Sequence, residues 1–461
     1  MKTFDILYIV GKKFKTLFSL NKIIVFCLLF PFVLPLFSQD KQMELQEPFP
    51  FSIYNLNNGL TIILSEDNSL PLVTVVCAYK VGSAYEKKGK TGLAHLLENL
   101  MFMGSRNVGP MQHIRFIHRI GGEFNAVTSW DKTVFYQTVS SNQLPLLLWL
   151  ESDRMNSLNL NYSNVEETKN LLIEMARNQK KEDPFLTSSL LFDYLLFPEF
   201  SYRHPIIGSE KELKNIKMKD VRDFYETFYK PNNAVLCITG DIDIKETLKL
   251  VRKFFHSIDP SKNVPSVPSY EGDFNQEKYE RFVTNKNVST PGFRLGYRIG
   301  SPYSDDFYVL SIIDYLLSYG NNSGLYKRLV KKNKFALRLR GGIEKRIDLA
   351  VFKFFVVSHD EDTKETAKKA LMSEINKLKS TLISDRELEK IKNMFKADYI
   401  DNYCSTEKRA LFLTRNYLSE INMRELDGEL DKYLKISASD IVRIMNRYFT
   451  ENNVLIEIRS K

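Results

Sequence analysis

Cysteine is nearly missing from this chain: there are 4 among 461 residues. Cys27 lies inside an apolar leader, which leaves Cys77, Cys237 and Cys404 beyond it. Three scattered cysteines exclude a disulfide framework. Cys77 and Cys237 fall in β-branched runs and are expected as small core residues. Histidine is also scarce, at 6 in the whole chain, so a metal site built from several imidazoles has few candidates. Low-complexity tracts and long blocks of like charge are missing. Net charge is +9 and falls to +5 once residues 1–38, with five Lys and one Asp, are set aside. No basic stripe accompanies it, so nucleic acid is not an expected partner. Otherwise the composition is ordinary for a folded protein, with 43% hydrophobic and 26% charged residues.

The apolar run at 23–37 is too short for a membrane span, which takes about 20 residues. Pro31 and Pro35 interrupt it. Lys12, Lys13, Lys15 and Lys22 precede it, and Ser38-Gln-Asp-Lys follows. A basic start, a short apolar centre and a small residue near the polar turn read as a cleaved secretory signal, residues 1–38. The expected destination is exported, periplasmic or secreted, with an uncleaved anchor through residues 23–37 as the alternative. Phe26 before Cys27 argues against a lipid-modified cysteine at the mature start.

The chain repeats itself once. Tyr79-Lys-Val-Gly-Ser-Ala-Tyr85 matches Tyr297-Arg-Ile-Gly-Ser-Pro-Tyr303 at an offset of 218. Asn232-Asn233 and Asn452-Asn453, each before an apolar run, repeat at an offset of 220. Two similar offsets so far apart predict two homologous halves. Residues 45–258 form the first, 259–273 a polar, Pro-bearing linker, and 274–461 the second. In the first half the pattern predicts strands over 59–64, 73–79, 133–140 and 234–240. It predicts helices over 91–102, 143–156, 164–181 and 220–228. The fold class expected is α+β: two homologous domains, each with helices packed on one face of a mostly antiparallel sheet.

One of these helices carries chemistry. Gly92-Leu-Ala-His95-Leu-Leu-Glu98-Asn99-Leu-Met-Phe puts His95, Glu98 and Asn99 on one face, at i, i+3 and i+4. With His at 99 it would read H-x-x-E-H, the inverted form of the helix that offers two imidazoles to zinc and a Glu as general base. The same helix in the second half, at an offset of 218, has Ile313, Leu316 and Leu317 there. The polar face is therefore not a requirement of the fold. A catalytic zinc takes three protein ligands and a water. Glu167 and Glu174 lie two turns apart on the helix at 164–181, so one could ligate and the other support it. His113 and His118 lie off a shared face, His204, His256 and His359 lack ligand spacing, and Arg154 is expected to be solvated.

At this point the chain resembles the pitrilysin/insulinase family of zinc metallopeptidases, over roughly residues 50–460. Besides the helix, the segment Gly121-Gly-Glu-Phe-Asn-Ala-Val-Thr-Ser-Trp-Asp-Lys-Thr-Val-Phe-Tyr136 is similar to the family pattern. So are His204-Pro-Ile-Ile-Gly208, Tyr229-Lys-Pro-Asn-Asn-Ala and Gly240-Asp241. The resemblance implies His95 as first zinc ligand, Glu98 as general base and Glu174 as carboxylate ligand, with Glu167 as the supporting acid. It puts Asn99 in the second ligand position, where a neutral amide replaces an imidazole. It implies Asn125 and Ala126 on the edge strand that takes a peptide as an added strand. Val330 and Leu337 fall where active members carry an Arg and a Tyr that grip substrate. It also implies one zinc ion, peptide substrates, and a half-shell that closes with a related peptidase subunit as a homo- or heterodimer. The function expected is a weakly active or inactive subunit of a peptide-degrading chamber. The alternatives are an active zinc metalloendopeptidase with Glu98 as base, and a non-catalytic peptide-binding scaffold.

Overall fold

A computed structural model describes residues 50–266, 277–285, 288–419, 423 and 426–459. The expected signal at 1–38 and part of the expected linker, 267–273, lie outside the described residues. The first half runs β1 (Ser52–Asn55), β2 (Thr61–Glu66), β3 (Leu72–Tyr79), α1 (Leu93–Leu100), α2 (Gln112–Arg119), β4 (Glu123–Thr128) and β5 (Thr133–Ser140). It continues with α3 (Leu144–Asn156), α4 (Tyr162–Glu182), α5 (Leu186–Leu196), α6 (Phe200–Arg203), α7 (Glu210–Asn215), α8 (Met218–Phe228), β6 (Ala234–Gly240) and α9 (Ile244–Phe255). Residues 259–266 have no helix or strand. The second half begins β7 (Tyr279–Thr284), β8 (Gly292–Arg298), α10 (Asp306–Leu317), α11 (Gly324–Tyr326), β9 (Arg338–Lys345) and β10 (Ala350–Val357). It ends with α12 (Glu361–Ser380), α13 (Asp385–Asp401), α14 (Thr406–Leu418), α15 (Leu426–Leu434), α16 (Ala438–Tyr448) and β11 (Val454–Arg459).

The repeat is structural. The first sheet has the order β1-β2-β6-β3-β5-β4 and the second β7-β11-β8-β10-β9. Apart from the extra β1 they correspond strand for strand. Each has a single parallel pair, β2 with β6 and β7 with β11, and is otherwise antiparallel. The duplicated Asn pair has a local reason. Asn233 Nδ2 donates to Phe228 O at 2.9 Å, and Asn453 Nδ2 to Thr450 O at 3.3 Å. Each closes the turn that feeds the last strand of its sheet.

One face of each sheet packs on helices of its own half. The central strands do not alternate polar with apolar, because both of their faces are buried. β3 is apolar almost throughout, and Val76 and Ala78 face away from the core that holds Val75 and Cys77. The second face is covered by a helix exchanged between halves. Helix α14 lies across β3 and β6 of the first sheet, with Phe412 and Leu413 against Ile63, Val76, Val134 and Val235. Reciprocally, Phe192 and Leu196 of α5 pack on Val351, Val454 and Ile456 of the second sheet. Polar ties fix both helices. Thr239 Oγ1 donates to Thr406 O at 2.6 Å, and Arg409 pairs with Asp67 at 2.6 Å. On the other side, Arg298 Nε donates to Leu196 O at 2.7 Å.

Arg154 is not solvated. It is 2% exposed inside the first core, beside Glu151 at 0%. Its Nε donates to Glu151 Oε2 at 3.1 Å, and its guanidinium stacks 4.2 Å from the Phe135 ring centroid. His113 is a core residue: its Nε2 is 3.0 Å from Gln137 Oε1, and burial pushes its pKa down to about 3.

Candidate metal centre and peptide edge

Helix α1 starts at a strained corner. Gly92 has φ +92, a conformation L side chains rarely adopt. A Cβ there would stand 2.6 Å from Ile207 O, so glycine is also what lets the 204–208 loop touch the helix start. Two carboxylates from elsewhere satisfy the free amides of the first turn. Glu86 accepts from Gly92 N at 2.8 Å and Ala94 N at 2.7 Å. Glu212 accepts from Thr91 N at 2.9 Å. Burial pushes the Glu86 carboxyl well above the usual range, and those amides pull it back. His204 stands 3.7 Å from Glu86, with its own pKa lowered by burial.

These anchors escape sequence reading because Glu86 lies six residues before the helix, outside any capping window. Glu86→Ala leaves two buried N–H groups without acceptors. We expect a loss of about 1–3 kcal/mol in urea unfolding, and an unchanged midpoint would show that α1 is held by packing alone.

With its start fixed, α1 turns His95, Glu98 and Asn99 toward one side, and it packs on α4, α8 and β4. His95 Nδ1 lies 3.1 Å from Glu98 Oε2. When Nδ1 carries the proton, Glu98 holds the ring and Nε2 keeps its lone pair. Asn99 Nδ2 donates to His95 O at 2.8 Å, one turn back in the same helix. The amide nitrogen is thus spent, and only a neutral carbonyl oxygen remains at the second ligand position. On α4, Glu174 is exposed, and its side chain forms no hydrogen bond among the described residues. Glu167 is exposed too, and accepts from Ser163 Oγ at 2.7 Å. No group of three or more His, Cys, Asp or Glu converges as a metal set among the described residues. The donors present, one imidazole, one neutral amide and one outlying carboxylate, do not fit a three-ligand zinc centre.

The peptide edge is better preserved. β4 is the last strand of its sheet, paired only with β5. Asn125 Nδ2 donates to Tyr136 Oη at 3.0 Å, and Asn125 Oδ1 accepts from Ala126 N at 2.8 Å. Asn125 is therefore braced by the neighbouring strand, and among the described residues the outer edge of β4 has no strand beside it. In the second half, Val330 packs half-buried on the core, Leu337 is 48% exposed, and Arg328 pairs with Glu374 at 3.0 Å. No Arg–Tyr grip forms from these residues.

A two-domain fold with an H-x-x-E-N helix following the third strand of its first sheet points to a class. Comparison with known families fits it. Residues 61–200 match the model described as "Insulinase (Peptidase family M16)", and residues 215–395 the one described as "Peptidase M16 inactive domain". The chain belongs to the pitrilysin/insulinase family. It is similar to the zinc protease PqqE of Helicobacter pylori, at 29% identity over 86% of this chain and 89% of the relative. The crystal structure of a protease from Helicobacter pylori matches with a TM-score of 0.84 at 27% identity, over 89% of this chain and 99% of that one. The mitochondrial-processing peptidase subunit beta of Bos taurus is 28% identical over 46% of this chain and 44% of its own length.

Proposed function

We propose that this chain is the non-catalytic or barely catalytic subunit of an exported peptide-degrading chamber, and that it holds peptides for a related subunit with a complete zinc helix. One observation carries the reading. The Asn99 amide is turned back onto its own helix while the β4 edge stays open and braced. Cation binding is compromised and strand addition is not. A relative that is itself named a subunit supports a partnered role. The competing reading is a residual zinc endopeptidase, favoured by the retained His95–Glu98 contact.

A quenched-fluorescence peptide separates the two. The purified chain is expected to leave the peptide intact, and to speed its cleavage when mixed with a homologue bearing H-x-x-E-H. Turnover by the chain alone that disappears in His95→Ala would establish the competing reading. Failure to associate with such a homologue would favour a scaffold.

A further inference from the structure

The tips of the two edge hairpins meet across the halves. Arg346, just after β9, lies 3.4 Å from the Trp130 ring centroid in the β4–β5 turn. That contact sets Lys345 beside the first-half turn, which closes through Ser129 N to Lys132 O at 2.8 Å. The exchanged helix α14 delivers a third cation to the same place. It runs along β3 and β6 from Thr406, which meets Thr239, to Tyr417, whose hydroxyl is 3.1 Å from Thr61 Oγ1. Thr61 pairs with Val235, and Tyr79 pairs with both Ala234 and Thr133. The end of α14, with Arg415, therefore arrives where Lys80 follows β3 and Lys132 precedes β5. Lys80 Nζ is 5.7 Å from the Tyr417 ring centroid.

Three cations, Lys132, Lys345 and Arg415, thus come from three separate elements to one place on the surface, with Lys80 beside them. None of the four side chains makes a hydrogen bond or ion pair among the described residues. The acids nearest them also hold other groups. Asp131 accepts from Tyr202 Oη at 2.7 Å, Glu429 accepts from Tyr399 Oη at 2.9 Å, and Glu344 is shared by Arg346 and Lys353. Lys345 and Arg415 are both exposed, and Lys345 Nζ stands 4.2 Å from the Phe307 ring centroid. Burial first, then Arg415, pushes the amines of Lys132 and Lys345 down to about 8. Both still carry charge at neutral pH. Like charges brought together with no acid in salt-bridge contact repel one another. Cations from three elements that share no salt bridge leave their charge for an incoming anion.

The cluster also lies in line with the peptide edge. Lys132 follows the end of β4, and Thr128 is about 10 Å along the strand from Asn125 at 3.3 Å per residue. We propose that Lys132, Lys345 and Arg415 form a carboxylate-binding subsite for a peptide added along β4, so that the chain prefers peptides with a carboxylate a few residues beyond the one opposite Ala126. The inference rests on the peptide-holding reading above. A carboxylate of that kind comes either from an Asp or Glu side chain or from the peptide's own C-terminus.

The test is fluorescence anisotropy with four labelled peptides, an acidic one and its Asn/Gln copy, each with a free or an amidated C-terminus. The chain is used intact, together with any subunit that co-purifies. The carboxylate-bearing peptides are expected to bind about tenfold tighter or more, the range of a charge-assisted contact. Lys132→Met, Lys345→Met and Arg415→Met combined are expected to erase that preference and to melt no lower than the parent. A preference lost on amidation assigns the C-terminus, and one lost in the Asn/Gln copy assigns a side chain. Equal binding of all four peptides by the parent overturns the subsite and leaves the peptide-holding reading standing. A preference that survives the triple substitution also overturns the subsite. Binding of none of the four overturns both.

Discussion

Asn99→His is expected to convert a chain that loses zinc on dialysis into one that keeps close to one ion per molecule. The argument is coordination chemistry. Zinc in proteins is held by imidazole, thiolate or carboxylate, and a neutral carboxamide is a poor substitute. In this chain the amide is also held in orientation, because its N–H group is tied to His95 O at 2.8 Å. Losing even an outer hydrogen-bonding partner of a ligand costs about 10–100-fold in metal affinity, and a direct imidazole is worth at least that. His95 already has its Nδ1 held by Glu98, and α1 is anchored by Glu86 and Glu212, so the new ring joins a prepared face. Elemental analysis after dialysis reads the outcome, with His95→Ala in the same background as the control. If occupancy does not rise, the exposed position of Glu174 on α4 is the next defect to repair. If the unaltered chain already holds stoichiometric zinc through Asn99, the subunit reading falls.

Arg154→Ala is expected to cost about 3–5 kcal/mol of stability, the range found when one partner of a buried ion pair is removed. Glu151 is 0% exposed and would lose the charge that offsets its burial. Gln137 would remain as its hydrogen-bond donor. The Phe135 ring would lose the guanidinium stacked at 4.2 Å. The sign of the pH effect follows. Burial already raises the Glu151 carboxyl, and without Arg154 it rises further. The folded variant then holds a proton that the unfolded chain releases above the ordinary Glu range, so its stability falls as pH increases from there. Urea midpoints at pH 5 and pH 8 should show the smaller loss at pH 5. Replacing both residues, as Glu151→Leu with Arg154→Met, is expected to recover much of the loss. A single variant as stable as the parent would mean that water reaches Glu151.

Much of the architecture was readable because it is written in local pattern. The runs at 73–79, 133–140 and 234–240 are β-branched and apolar, and all three are strands at nearly those limits. The duplication was readable from turn chemistry, since the Asn pair and the Tyr-x-x-Gly-Ser turn serve the same corner in each half. Three features were not readable, and each depends on distant residues. The i, i+4 spacing of α14 shows an apolar face but not whose sheet it meets. Arg154 looks like any helix-surface arginine until Glu151 and Phe135 are folded around it. Glu86 acts as a cap from across a loop. The candidate site was readable in type, through His95, Glu98 and Asn99, but not in the way Asn99 turns back on its helix or Glu174 faces solvent.

The traded helices have a consequence for how such a chain ages. Because α5 roofs one sheet and α14 the other, neither half owns a complete interior, and damage to either is felt by both. Half-buried His95 and Asn99 and buried Glu98 sit on α1, which packs on α4, α8 and β4 of its own half. A change at these three positions therefore leaves the helix exchange itself untouched, and the halves stay interlocked whatever chemistry α1 carries.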